Sequence, residues 1–138
     1  PNGGILRTPH IVAAVNGRQR RPPPGRRVIS ARTAAQVRRM LEGVLAPGGT
    51  ASEVSVPGYE LAGKTGTASK IDPATGEYSK SAYVASFVGF APAMDPKLLC
   101  AVVVDEPQAG SIYGGTVAAP AFGQIMSFAL PYLRIPPG

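Results

Sequence analysis

The residues with the clearest chemical capacity are Gly63-Lys64-Thr65-Gly66-Thr67, a cation and two hydroxyls set among glycines. They fall within Tyr59 to Ala68, which reads as a strand bounded by Pro57-Gly58 and by a polar run from Ser69 to Ser81. Glycine is poor strand material unless another backbone or a ligand must approach closely. A strand with one lysine, two hydroxyls and almost no bulk suits an anion. Alternation puts Lys64 and Gly66 on one face and Thr65 and Thr67 on the other. Twist at a sheet edge still lets a hydroxyl and a backbone N–H converge on one ligand. On these residues alone, an edge strand with a solvating lysine explains the pattern equally well.

The rest of the chemical inventory is thin. A single cysteine, Cys100, excludes an internal disulfide, and with the single histidine, His10, it cannot build a Cys/His zinc site. No structural metal and no cofactor is expected. His10 sits beside Pro9 with no acid or nucleophile near it and reads as a packed or surface residue. Cys100 lies in the most apolar strand, as inert core rather than a nucleophile. Asp105-Glu106 could suggest an acid/base pair, but they run directly into Pro107 and read as a solvated strand end.

The elements that must position the lysine strand follow from periodicity. Pro1 to Thr8 looks like the tail of a preceding element, because Asn2-Gly3-Gly4 is turn chemistry with nothing before it. His10 to Val15 and Val28-Ile29 are expected to pair as a small ribbon. Thr33 to Ala46 is the clearest helix, with Thr33 and Gln36 at capping-box spacing and Val37, Met40, Leu41, Val44 and Leu45 on one face. Pro47-Gly48-Gly49 should stop it. The run Ser69 to Ser81 reads as a turn-rich excursion around Asp72-Pro73-Ala74-Thr75-Gly76. Tyr83 to Phe90 and Leu98 to Val104 are two further strands, joined closely enough to be antiparallel neighbours. The second is apolar without alternation, which predicts cover on both faces. Phe122, Ile125, Met126 and Ala129 form the stripe of a closing helix, with Pro120 in its first turn and Pro131 limiting its end.

At 138 residues the chain suits one domain, and 44% apolar with 16% charged residues argues against wholesale disorder. No apolar run approaches the roughly 20 residues of a membrane helix, and the opening residues lack signal-peptide character. The chain reads as soluble, with no address of its own. Its net charge of +6 is local: residues 1 to 40 hold nine arginines and no acid, whereas the remainder is net negative. Arg18 to Arg27 is the segment a polyanion would use. Pro22-Pro23-Pro24-Gly25 breaks the run, and no aromatic residue lies among the arginines to stack a base, so a solvated loop is expected and nucleic acid is not.

Four separate motifs, in order, carry a resemblance. They are Gly48-Gly49-Thr50-Ala51; Tyr59 to Ala68 with Lys64-Thr65-Gly66-Thr67; Phe87-Val88-Gly89-Phe90-Ala91-Pro92; and Tyr113-Gly114-Gly115 followed by Ala118-Ala119-Pro120-Ala121-Phe122. Together, from about Asn2 to Leu133, they resemble the C-terminal part of the transpeptidase domain of a class B penicillin-binding protein, whose motif set includes Lys-Thr-Gly. The resemblance implies an α+β fold like that of the serine β-lactamases: an antiparallel sheet flanked by helices, of which this chain holds three strands and a closing helix. It implies a D,D-transpeptidase that cross-links peptidoglycan stem peptides through an acyl-serine and binds β-lactams, at the extracytoplasmic face of a bacterial membrane. Residues 1–57 would then be a helical, basic subregion, and residues 58–138 the strands and last helix of one domain.

The same resemblance implies roles for particular residues. Lys64 would add positive potential and bond into a serine motif; Thr65 and Thr67 would hold a terminal carboxylate; the Thr67 N–H would be an oxyanion-hole donor. Gly66 would keep the strand face clear, and Tyr113 would line the site or merely pack beside it. One departure stands out. None of the nine serines has lysine three residues on or asparagine two residues on. The Ser-x-x-Lys nucleophile is therefore expected on an upstream part of the same domain, as partner to this chain alongside stem peptides, β-lactams and other cell-wall synthesis or division proteins. The chain alone is expected to be inactive. Two other readings remain: a non-catalytic domain that binds polyanions or proteins through its arginines, and a serine β-lactamase or DD-carboxypeptidase relative.

Overall fold

The computed structural model describes residues 1–108 and 110–137. Two small ribbons come first: β1 (Ile5–Leu6) pairs with β4 (Arg26–Arg27), and β2 (Ala14–Val15) pairs with β3 (Arg18–Gln19). The pairing expected between His10–Val15 and Val28-Ile29 is not the one formed. Asn16 and Gly17 both take positive φ, 50° and 75°, so the chain reverses at once after β2. An Asn-Gly pair between short strands is a strong hairpin signal. Within the first segment, Ile5–Leu6 is tied into a ribbon with Arg26–Arg27.

Helix α1 spans Ala31–Glu42. It starts earlier than Thr33 because Ser30 is the cap: extended in backbone, it accepts the Thr33 N–H on Oγ at 3.0 Å. It also ends earlier than Ala46, in turns closed by Leu45 N–H to Glu42 O (3.1 Å) and Gly49 N–H to Ala46 O (2.8 Å). The main sheet is antiparallel, in the order β5 (Ala62–Ile71), β6 (Tyr78–Ala91), β7 (Leu98–Asp105). The expected excursion from Ser69 to Ser81 is about half strand, with β5 running on to Ile71 and β6 starting at Tyr78; the turn is confined to residues 72–77, around the expected Asp72–Gly76, where the Gly76 N–H donates to the Asp72 carbonyl at 2.8 Å. A four-residue helix α2 (Gly114–Val117) leads into α3 (Ala119–Tyr132). The fold is α+β, as expected.

The core lies between the sheet and α3. Phe87, Phe122, Met126 and Leu130 are fully buried, and the Phe87 and Phe122 rings sit 4.8 Å apart. Leu98, Cys100, Val102 and Val104 of β7 pack against them. Ile125, expected on the buried stripe, is 46% exposed; Leu130 takes the inner position instead. Gly89 gives Phe122 its place, because a Cβ there would stand 2.6 Å from the ring's Cζ.

The opposite face of the sheet is only partly covered. Leu41 of α1 packs on Ala62, Phe90 and Ala93 at one end. Beyond it, β7 alternates half-buried with exposed residues, contrary to the cover expected on both faces: Leu99 is 56% and Val103 63% exposed. The unbroken apolar run thus describes two faces of which these residues bury one. Among the described residues, no helix is long and apolar enough to cross a membrane. Phe122→Ala should cost about 3–5 kcal/mol of stability, because it empties the centre of the core, and urea unfolding of the chain measures it.

Candidate active-site strand

Strand β5 is an outer strand of its sheet, so one row of its backbone groups faces away from β6. Residues 64 to 67 pair with Val88, Phe87, Ser86 and Ala85 in turn. Thr65 and Thr67 therefore share the face of buried Phe87 and Ala85, and Lys64 and Gly66 lie on the other, as alternation required.

The glycines at the site serve close packing to different degrees. A Cβ on Gly66 would come within 2.5 Å of Ser86 Oγ, a contact that rotation of the serine side chain would relieve, so the demand at Gly66 is mild. Gly114, the first residue of α2, is closer still. A Cβ there would collide with the Ser86 carbonyl and lie 2.5 Å from that of Gly66, and one on Gly115 would collide with the carbonyl of Thr50. Two glycines in sequence let α2 rest directly on the backbones of β5, β6 and the turn after α1.

That contact fixes the hydroxyls. The Gly114 N–H donates to Thr67 Oγ1 at 3.3 Å. Thr50 and Thr65 bring their hydroxyl oxygens 3.0 Å apart. Lys64 curls its ammonium back to the Thr65 carbonyl at 2.7 Å and to Thr65 Oγ1 at 3.4 Å. A hydroxyl that already accepts a hydrogen bond keeps its proton to donate. The result is a patch with an ammonium and oriented O–H groups, able to hold a carboxylate.

The structure brings Lys64, Thr65, Gly66 and Thr67 together on one strand, with Tyr113, 66% exposed, directly before the glycine that meets Thr67. Thr50, which the sequence reading does not include, joins the site. Its signal was present in Gly48-Gly49-Thr50, but only the fold carries it to a position fifteen residues on. Cys100 is half-buried, and burial pushes its thiol above the ordinary value, as fits inert core. Asp105 and Glu106 are not simply solvated: both bond Lys70. No cluster of His, Cys, Asp and Glu among the described residues could hold a metal.

An edge strand carrying Lys-Thr-Gly-Thr beside a glycine-led helix, in a sheet backed by a C-terminal helix, defines a domain of the penicillin-recognising type. The whole stretch 1–127 matches the model of the penicillin binding protein transpeptidase domain, and the chain belongs to that family. It is 44% identical over 115 residues to a probable peptidoglycan D,D-transpeptidase, PenA, of Neisseria gonorrhoeae, covering 83% of this chain and 19% of that protein. Among solved structures, it resembles the apo transpeptidase domain of penicillin-binding protein 3 from Burkholderia pseudomallei (42% identity, TM-score 0.82, 99% of this chain and 40% of that one). It is equally similar in shape to penicillin-binding protein 3 of Mycobacterium tuberculosis complexed with ampicillin (33% identity, TM-score 0.82, 99% of this chain and 33% of that one). The chain spans about a fifth of the length of the curated relatives it matches.

Gly114→Ala should lower stability by about 1–3 kcal/mol, as overpacking against fixed backbone does, and should loosen the Gly114 amide. Thermal unfolding together with amide exchange at Gly114 measures both effects.

Proposed function

We propose that this chain is the C-terminal segment of a peptidoglycan D,D-transpeptidase domain, which cross-links stem peptides through an acyl-serine and is acylated by β-lactams. The observation that carries the reading is the Thr67 hydroxyl, which accepts the Gly114 N–H and so keeps its own proton to donate. Thr65, held between Thr50 and Lys64, places a second hydroxyl beside an ammonium. Such a pair suits the terminal carboxylate of a stem peptide or the carboxylate of a penicillin. The Thr67 N–H supplies one oxyanion-hole donor, a group whose removal typically costs about 3 kcal/mol of transition-state stabilisation. Gly66 leaves the strand unencumbered, and Tyr113 flanks the patch.

The nucleophile belongs to an upstream part of the same domain, because no serine here has lysine three residues on. The partly uncovered face of β6 and β7, with Leu99 and Val103 outward, supports the same reading, since an apolar face of this kind calls for cover. The assembled enzyme works at the extracytoplasmic face of a bacterial membrane, held by a segment outside these residues, with other cell-wall synthesis or division proteins as partners.

Labelling with a fluorescent penicillin tests the proposal. The isolated chain should stay unlabelled, and the same chain joined to its upstream part should label on serine; an acyl adduct on the isolated chain would overturn the placement of the nucleophile. In the joined protein, Thr67→Val should slow acylation by roughly 10²-fold, in line with loss of one oriented donor, with little change in melting temperature. A large fall in melting temperature with acylation intact would contradict that role.

A further inference from the structure

Away from the motif, a cluster of three ionised side chains among the described residues links the two outer strands. Lys70, near the end of β5, holds Nζ 3.0 and 3.2 Å from the two carboxylate oxygens of Asp105 and 2.6 Å from Glu106 Oε1. β5 and β7 do not pair, since β6 lies between them, so a single ammonium reaches across the middle strand. The register shifts between Ser69 and Ile71, which re-aims Lys70 at the end of the ladder. The two carboxylates hold the ammonium in its charged form, raising its affinity for the proton.

These acids stand where β7 gives way to the connection that leads to α2. Glu106 has left strand geometry, with φ +48°. Its N–H donates to the Tyr83 carbonyl at 2.9 Å, and its own carbonyl accepts from Gln108 Nε2 at 3.0 Å. The connection ends at Tyr113 and Gly114, whose N–H meets Thr67. It is therefore fastened to β5 at both ends, through Lys70 where it starts and through Thr67, three residues earlier in the same strand, where it finishes.

We propose that Lys70 is a positioning residue: by clamping Asp105 and Glu106 it sets where this connection leaves the sheet, and so acts together with the backbone seating of Gly114 and Gly115 to hold Tyr113 and the Gly114 amide against the Thr67 hydroxyl. The inference rests on the reading of Thr67 as a carboxylate ligand. Its magnitude separates it from a plain stabilising role. An exposed ion pair contributes little to stability, whereas a small misplacement of binding groups can cost a site much more.

The test uses the full-length transpeptidase that contains this chain, with Lys70→Met, Lys70→Arg and Glu106→Gln. Lys70→Met should raise the penicillin concentration for half-maximal acylation roughly ten-fold, with a smaller change in the maximal rate, as expected of misplaced binding groups. Glu106→Gln, which keeps the shape and removes the charge, should shift it in the same sense, and Lys70→Arg should restore most of the wild-type value. Melting temperature should stay within about 2 °C for all three, as expected of exposed ion pairs. In the same full-length protein, Lys70→Met should speed amide exchange at Gly114. Unchanged half-maximal concentration, or a loss of acylation that merely follows the melting temperature, would overturn the proposal. Failure of the wild-type protein to label would overturn the reading of the site instead, so the two failures are distinguishable.

Discussion

The rest of this structure depends on a contact in which no side chain takes part. Gly114 and Gly115 bring the start of α2 against the carbonyls of Ser86, Gly66 and Thr50, at a range no Cβ could occupy. A protein interior is packed to the density of an organic crystal, so even one methyl group there must push something aside. What would move is backbone, not a flexible side chain. Once α2 is seated, the Gly114 amide falls on Thr67, Thr65 and Thr50 face each other, and α3 is delivered onto the sheet with Phe122 over Gly89.

The molecule spends its strongest packing on one face of the sheet. Phe87, Phe122, Met126 and Leu130 form a dry layer beneath α3, while Leu41 alone represents α1 in the smaller cluster on the other face. Site and core are thus built on the same side: Thr65 lies opposite Phe87 in register, and Thr67 opposite Ala85. A rigid layer under the hydroxyls keeps them fixed, because neither strand can shift without disturbing the rings. Lys64 belongs to the open face by alternation, yet its long side chain returns its charge to Thr65.

Much of this was legible in the residues. Short runs of apolar residues between turn signals located β6 and β7, and the spacing of Val37, Met40 and Leu41 located α1, whereas Val44 and Leu45 continue the period into the turns beyond its end. The errors have separate physical causes. Ser30 lies outside the apolar period and became the cap because its hydroxyl could reach the Thr33 amide. Ser69 to Ser81 looked like loop because its residues are polar, but a ladder is held by backbone groups, which polarity of side chains does not report. The apolar run of β7 signalled burial on both faces, whereas these residues bury one. The pairing of Ala14–Val15 was misjudged because the positive φ at Asn16 and Gly17 closed a hairpin before the chain could reach Val28.

By itself the sequence determined the chemical identities: a lysine and two hydroxyls on a strand of little bulk, no serine with lysine three residues on, and one cysteine in apolar surroundings. Local chemistry and alternation suffice for these, because they depend on neighbours in the chain. Only the tertiary structure decided the relations between distant residues. Thr50 joined Thr65, Lys70 reached Asp105 and Glu106 across β6, and Gly114 was set on Thr67. Each of these joins residues at least fifteen positions apart. Their meeting is fixed by where the packed core allows the backbones to approach, a property of the fold that no local pattern carries.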